Sequence, residues 1–455
     1  MHLCLELNEL GLLTGMKDLG GGGLSCVVGE LALDAGFGAK VDLEKVHLKL
    51  KNMAPWEIWV SESQERMMFT VKPEDVQTVL DRCNAWDVEA VAIGEVIKEK
   101  RNIVRFHNTE ILNLDLEFTT GGPVYNRPYT LPEINNLEAV ELPEPPLNLA
   151  KTIKEIISNP EVASKDWVIR QYDHEVRGAT AIKPIQGKIG KEVHGDSSVL
   201  KPVEDSWKGL ALTTDINPHL MEANPYHGTM SAVEEICRNL ASVGARIDSL
   251  ADCLCFGNPQ RPEIMGQFKS SCDALRDAAT SVDVPYVSGN VSLYNETAEG
   301  AIPPTPVLMG IGLVDDIRKC VTSDLKNEGD IWLIGDNKQQ LGASLYYRTL
   351  GINCPNVPTT DFDSFIPRME QLIDAIECGE VVACHDISTG GMALTIIEMC
   401  MSGVGAEINL SGDMRADLEL FNESNGRWIV QVKPGLEGEF SKRFDFAKKI
   451  GTVNK

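Results

Sequence analysis

Short apolar runs such as "RMMFTV" (66–71) and "RWIVQV" (427–432) predict strands. Elsewhere the apolar residues recur at helical spacing. "EDVQTVLDRCNAW" (74–86) and "LEGEFSKRFDFAKKI" (436–450) predict helices, and "NPYHGTMSAVEEICRNLASV" (224–243) gathers Ala232, Ile236, Leu240 and Val243 on one helical face. "IDSLADCLCF" (247–256) follows as an apolar strand with Asp252 inside it. "LLTGMKDLGGGGLSCVVGELALDAG" (12–36) predicts a strand, a glycine turn and an amphipathic helix. "LAKTIKEIISNP" (149–160) predicts a helix stopping near Pro160, and "WVIRQYDHEV" (167–176) a strand in which His174 is charge-paired. Strands alternating with helices in this way indicate a fold of the α/β and α+β classes.

The pattern occurs twice. "ESQERMMFTVKP" (62–73) returns as "ESNGRWIVQVKP" (423–434) with six identical letters. "DLGGGGLSCVVGELALDAGFGAKVDL" from Asp18 returns, with one gap, as "DISTGGMALTIIEMCMSGVGAEINL" from Asp386. The echoes keep their order, 368 positions apart at the glycine block and 361 at the second block, as a duplicated domain with loop deletions would. In the second copy an ordered segment begins near Trp167, long before Asp386, whereas only 17 residues precede Asp18. If the copies are built alike, the first lacks on the order of 200 residues upstream. The proline-rich stretch 119–148 reads as a surface linker.

The 455 residues, 43% hydrophobic, suffice for about three cores. Against 42 basic side chains stand 67 acidic ones, and the net charge of -25 repels phosphate backbones and anionic lipid, so neither nucleic acid nor membrane is expected as partner. Twelve cysteines show no CxxC pair and only one close couple, Cys253 and Cys255, which suits buried free thiols in a reducing compartment. With no signal-peptide pattern and no apolar run near ~18 residues, the cytosol is the expected location.

Four segments offer chemistry. Glycines 21–23 before a helix permit backbone N–H groups to approach an anion, and the turn Gly21-Gly22-Gly23 is a candidate phosphate cradle; a tight connection is the plainer reading. Asp18 is either the helix N-cap or a magnesium ligand. Glu62, Ser63 and Gln64 stand at a strand mouth and can face a polar ligand, or form a solvated loop with Arg66 paired to Glu62 or Glu65. Gly289-Asn290, ahead of Ser292, Tyr294 and Asn295, is either a hairpin turn or a strand end holding a metal-phosphate group. Asp252 in an apolar strand needs a backbone donor, a cation or a ligand. No HExxH, GxSxG or Walker A sequence is present, so any ATP is used without a P-loop.

Together "KDLGGGGLSCVVGELA", "MAPWEIWVSESQERMMF", "YDHEVRGAT", "GARIDSLADCLCFGNPQRPE" and "VPYVSGNVSLYNET" resemble the large subunit of phosphoribosylformylglycinamidine synthase, in that family's order through nearly the whole chain. The resemblance implies tandem AIR-synthase-like units, each a ferredoxin-like A domain and a three-layer α/β B domain. Residues 1–118 then correspond to the first B domain, 119–159 to a linker, 160–318 to the second A domain and 319–455 to the second B domain, with the first A domain absent. It implies a ligase of purine biosynthesis that uses ATP and Mg²⁺ to convert formylglycinamide ribonucleotide and glutamine-derived ammonia to formylglycinamidine ribonucleotide, through an iminophosphate. A separate glutaminase and a small bridging subunit are the implied partners.

Matched position by position, the resemblance implies Asp18 and Asn290 as magnesium ligands, Glu62, Ser63, Gln64 and Ser292 as substrate contacts, and Asp252 and Gly289 as ATP contacts. The family's catalytic histidine belongs upstream of the matched residues, so this chain is expected to lack turnover alone. "ESNGR" and "DISTGG" depart from the family pattern, and the second B domain is expected to be structural. Two other readings stand beside this one. Another ATP-using enzyme of the superfamily, of selenophosphate-synthetase or hydrogenase-maturation type, would have a single unit; a non-catalytic nucleotide-binding scaffold would leave "ESQER" and "SGNVS" idle.

Overall fold

The computed structural model describes residues 1–410, 412 and 414–454, which fall into two compact units, Met1–Asn126 and Arg127–Lys455. Unit 1 opens with helix His2–Glu9, whose Leu3 and Leu7 pack on Val79 and Cys83 of helix Val76–Ala85. Strand Leu13–Asp18 pairs antiparallel with Met67–Val71, Asp18 lying opposite Met67. Helix Leu24–Asp34 buries Leu24, Val27, Val28 and Ala32 in a core shared with Ala39, Val41, Leu43, Ile58, Val104 and Leu116. A four-stranded sheet completes the unit, in the order Gly94–Ile97, Gly38–Asp42, Arg101–Phe106, Thr109–Asp115.

Unit 2 contains two larger sheets. The first has six strands, in the order Tyr286–Ser292, Arg246–Cys255, Thr305–Val314, Gly209–Asp215, Ser198–Leu200, Thr180–Ile182. Helices Pro225–Ser242 and Pro262–Val282 pack with it in one apolar core. The approach is close: a Cβ on Gly310 would stand 2.3 Å from the Cγ2 of Ile236. The second sheet has five antiparallel strands, in the order Val381–Asp386, Trp428–Val432, Asp330–Ile334, Lys448–Asn454, Gly405–Ile408. Trp428, Val430 and Val432 share a core with helices Phe362–Glu377 and Pro225–Ser242, while Ile429 joins Met392 and Met399 of helix Gly391–Cys400 in another. With helices on both sides all five residues 428–432 are buried, even Gln431, whose amide bonds the backbone of Lys326 and Glu328. This is a three-layer α/β domain beside an α+β one.

Several sequence expectations are corrected. "WVIRQYDHEV" forms the short helix Asp166–Ile169 followed by irregular chain, because its apolar residues are too few to cover a sheet; His174 lies at a bend, its Nδ1 3.1 Å from the Tyr172 carbonyl and its Nε2 3.5 Å from the Glu175 carboxylate, so the expected charge partner is present without the strand. The helix expected over 436–450 ends at Arg443, and Lys448–Asn454 is a strand pairing with Asp330–Ile334. Gly289-Asn290 makes no hairpin: both lie inside strand Tyr286–Ser292, which runs parallel to its neighbour. Part of the proline-rich stretch is laid on unit 2, where Thr130 N–H bonds the Pro262 carbonyl and the Asn224 amide bonds the Ile134 carbonyl. All twelve cysteines are free, but only Cys83, Cys237, Cys354 and Cys384 are buried; six are half-buried, and Cys26 and Cys378 are exposed. Among the described residues no helix is long and apolar enough to cross a membrane.

Helix Pro225–Ser242 is buried nearly all round because the second sheet covers the side its own sheet does not. That burial includes charge. The Arg238 guanidinium, 1% exposed, contacts Glu234, reaches Glu235 at 3.2 Å and bonds Asp386 of the second sheet at 2.9 Å. Removing the cation strands these carboxylates in a dry interior, so Arg238→Met is expected to cost about 3–5 kcal/mol in a urea denaturation series. A loss under about 1 kcal/mol would mean that the carboxylates have other means of neutralisation.

Candidate functional site

In unit 1 the glycine turn and the "ESQER" loop meet because strands Leu13–Asp18 and Met67–Val71 are neighbours, which brings Asp18 and the residues before Met67 to one end of the pair. Asp18 does not cap the following helix. The N-cap is Gly23 (φ 55°), without a side-chain cap, and Asp18 Oδ2 instead accepts the Gly20 N–H at 3.0 Å. Gly23 cannot carry a side chain: a Cβ would lie 2.0 Å from the Ser61 carbonyl oxygen, and its φ is in the left-handed region. Asp18, Glu62, Ser63 and Gln64 are all exposed.

Two side chains fix this loop. Glu62 Oε1 accepts the Gly22 N–H at 2.7 Å, tying the loop to the turn. Arg66, contrary to the expected pairing with Glu62 or Glu65, donates Nε to the Ser63 carbonyl (2.9 Å) and Nη2 to the Ser61 carbonyl (2.5 Å). Carbonyls converge on it because the loop doubles back before the strand. A cradle at Gly21-Gly22-Gly23 therefore lacks its central donor, and a carboxylate stands where a phosphate would approach.

The second copy repeats the arrangement contact for contact. Glu423 Oε1 accepts the Gly390 N–H (2.8 Å) and also the Leu345 N–H (2.9 Å). Arg427 donates Nε to the Ser424 carbonyl (2.8 Å) and Nη2 to the Asn422 carbonyl (2.6 Å). The backbone agrees, since Leu19 N–H bonds the Arg66 carbonyl and Ile387 N–H bonds the Arg427 carbonyl. What differs is what lies against the loop. In the second copy helix Pro225–Ser242 covers it: Asn425 bonds Ser231, the Gly426 N–H bonds Glu234, and the Trp428 indole bonds the Arg238 carbonyl. Trp428 is 0% exposed, whereas its counterpart Met67 is 42% exposed. Beside Asn425 and Glu423 there remains a cavity of about 20 Å³, room for one water.

The six-stranded sheet of unit 2 brings the other candidates together. Asp252 lies opposite Gly289, Cys253 opposite Asn290 and Cys255 opposite Ser292. A Cβ on Gly289 would sit 3.1 Å from both carboxylate oxygens of Asp252, so the glycine leaves that carboxylate room. Burial lifts the Asp252 carboxyl above its ordinary range, against the pull of the Asn290 backbone N–H. Because successive side chains on a strand point to opposite faces, Asn290 and Ser292 share one face with the two cysteines, and Asp252 with Gly289 lies on the other. Asn290 Nδ2 is 3.3 Å from Cys253 Sγ, and Ser292 Oγ donates to Asn295 Oδ1 at 3.3 Å.

Sequence reasoning missed the arginine clamp and the buried ion network, although the shared register of "ESxxR" and the spacing of Glu234 and Arg238 along a helix both carried a signal. The network extends to His385, whose Nδ1 lies 2.7 Å from Asp196 and whose Nε2 lies 3.0 Å from Glu398. Burial opposes its charge, but the two carboxylates outweigh it and hold the imidazole well above its usual range. Asp196, His385 and Asp386 could surround a cation, yet Arg238 and Glu398 already engage them.

The chain thus carries two glycine-turn modules, with a six-stranded, two-helix domain before the second. Residues 1–107 and 347–455 match the AIR synthase related protein, C-terminal domain, and residues 194–314 match the N-terminal domain; the chain belongs to this family. Within it the chain resembles the phosphoribosylformylglycinamidine synthase subunits PurL. It is 38% identical to that of Thermoplasma acidophilum over 96% of this chain and 57% of the relative, and 39% identical to that of Thermococcus sibiricus over 99% and 62%. The chain thus spans about three fifths of the length of these relatives. The solved structure of T. maritima PurL complexed with AMPPCP matches all of this chain and 67% of its own (TM-score 0.71, 23% identity), a likeness that establishes the fold.

Two outcomes test the clamp. Glu62→Ala frees the Gly22 N–H, and hydrogen exchange over residues 21–24 is expected to quicken at least ~10-fold, while Glu62→Gln, which keeps an acceptor, stays near wild type. In the second copy burial pushes the Glu423 carboxyl up to about 7 from 4.5. A carboxyl raised on folding favours the fold when protonated, so its contribution is complete below about pH 4.5 and is lost as pH rises through about 7. Glu423→Gln keeps the acceptor without the charge. It is expected to flatten the fall in stability between pH 5 and pH 8 by roughly 2–3 kcal/mol, measured by urea unfolding at both pH values.

Proposed function

We propose that this chain takes part in the ATP-dependent conversion of formylglycinamide ribonucleotide and glutamine-derived ammonia to formylglycinamidine ribonucleotide, ADP and phosphate. The observation that carries this reading is the exposed "ESQER" mouth of unit 1, held open by Glu62 and Arg66, in a chain similar to PurL subunits along nearly its whole length. In its second copy the same loop is filled by protein. Support also comes from T. maritima PurL, whose structures are described as complexed with ATP, with ADP and with FGAR.

In this reading Ser63 and Gln64 hydrogen-bond the ribonucleotide, and Glu62 offers it the carboxylate oxygen not used on Gly22. In unit 2, Ser292, oriented by Asn295, is a candidate substrate contact, and Asp252 and Gly289 are candidate ATP contacts. The γ-phosphoryl group passes to the amide oxygen of the substrate, and ammonia then attacks that carbon and expels phosphate. Such transfers depend on positioning and charge neutralisation. Asp18, an exposed carboxylate, and the amide oxygen of Asn290 are hard oxygen donors of the kind Mg²⁺ takes, and Mg²⁺ when bound would neutralise phosphate charge. The second copy is structural in this reading, its loop serving as a docking surface for helix Pro225–Ser242. A glutaminase and a small bridging subunit supply ammonia in this reading; a solved structure of the same fold is described as PurLQS from Thermotoga maritima.

The test compares this chain with one extended to the full length of its relatives. We expect ammonia- and substrate-dependent ADP formation only from the longer polypeptide, with Gln64→Ala and Ser292→Ala each raising the KM for formylglycinamide ribonucleotide at least ~10-fold. Unchanged KM in both variants would remove these residues from the site, and calorimetry showing Mg-ATP binding without ribonucleotide binding or turnover would favour a non-catalytic nucleotide-binding scaffold.

A further inference from the structure

The reaction proposed above makes no use of the thiols of Cys253 and Cys255. They lie two apart on strand Arg246–Cys255, on one face of the sheet, both half-buried, with their sulfurs 3.8 Å apart. A disulfide needs its sulfurs near ~2.05 Å and Cα atoms usually within ~6.8 Å, about the upper limit for residues two apart on an extended strand. Their spacing suits a bridging atom instead. With metal–sulfur bonds of ~2.3 Å, sulfurs at the observed separation subtend about 110° at a shared ion, close to the tetrahedral angle. A third donor is adjacent, since the Asn290 amide touches Cys253 Sγ at 3.3 Å through Nδ2, and half a turn of that amide presents Oδ1 in its place. Ser292 faces Cys255 across the neighbouring strand.

We infer that Cys253 and Cys255 form a bidentate site for a thiophilic divalent cation of the zinc and cadmium kind. Binding replaces the two S–H protons, released to solvent, with two sulfur–metal bonds. Thiolate pairs select such soft or borderline ions over the hard Mg²⁺, which takes oxygen. The inference rests on the geometry of the pair and stands whether or not the proposed reaction is correct. An ion held there would lie beside Asn290 and Ser292.

Cadmium ion is the probe. Titrated into the reduced full chain, it is expected to raise the ultraviolet thiolate-to-cadmium charge-transfer band with a tight phase of about one ion per chain. Cys253→Ser and Cys255→Ser, each conservative in size, are expected to weaken that phase at least 10-fold with unchanged thermal melting of the metal-free protein. Cys26→Ser and Cys378→Ser, which remove the exposed lone thiols, are expected to leave it intact. Absence of a tight phase, or its survival in Cys253→Ser, overturns the inference.

Discussion

The loop that precedes strand Met67–Val71, and its counterpart before Trp428–Val432, is held by two side chains acting on backbone rather than on each other. A glutamate carboxylate takes the N–H of a glycine in the facing turn, and an arginine three residues beyond the serine folds back onto two carbonyls of its own loop. Charge-assisted bonds to main chain fix loop shape while asking nothing of the two residues between serine and arginine. Those positions, Gln64-Glu65 and Asn425-Gly426, are where the copies part. The scaffold has stayed constant and its tip has changed.

What has been built against the tip separates an open mouth from a closed one. In unit 2 the substitution of asparagine and glycine lets helix Pro225–Ser242 approach until Ser231 and Glu234 bond the loop directly. Burial then propagates: Trp428 is fully enclosed and Arg238 is drawn out of water among carboxylates. The backbone at the tip is shared, with φ 62° at Glu65 and 73° at Gly426, so the long side chains of Gln64 and Glu65 are what give unit 1 a different surface.

Much of the fold was legible because the duplication let two weak patterns support one another. The glycine turns, the "ES" loops and their strands lie where the repeat places them, and Asp252 and Gly289, which the resemblance named together, face each other across adjacent strands. The failures have local causes. Gly289-Asn290 has turn chemistry but continues a strand because its parallel neighbour supplies partners throughout. Asp18 precedes a helix but is separated from it by a run of glycines, so the N-cap falls at Gly23 and not at the aspartate. The ion network was hidden for a different reason: Arg238 and Asp386 are 148 positions apart, and no local pattern reports a pairing made by docking.

Arg238 bears on the order of folding. Two of its carboxylate partners, Glu234 and Glu235, lie four and three residues away on its own helix, and only Asp386 comes from the later sheet. During synthesis the helix emerges well before Val381–Asp386, yet its guanidinium is already neutralised by short-range pairs of the kind that stabilise helices in isolation. The first domain of unit 2 can therefore assemble and wait in water without an unpaired guanidinium on its docking face. The final partner then sets where the second domain comes to rest, so the helix acts as a template whose charge is prepared in advance of its burial.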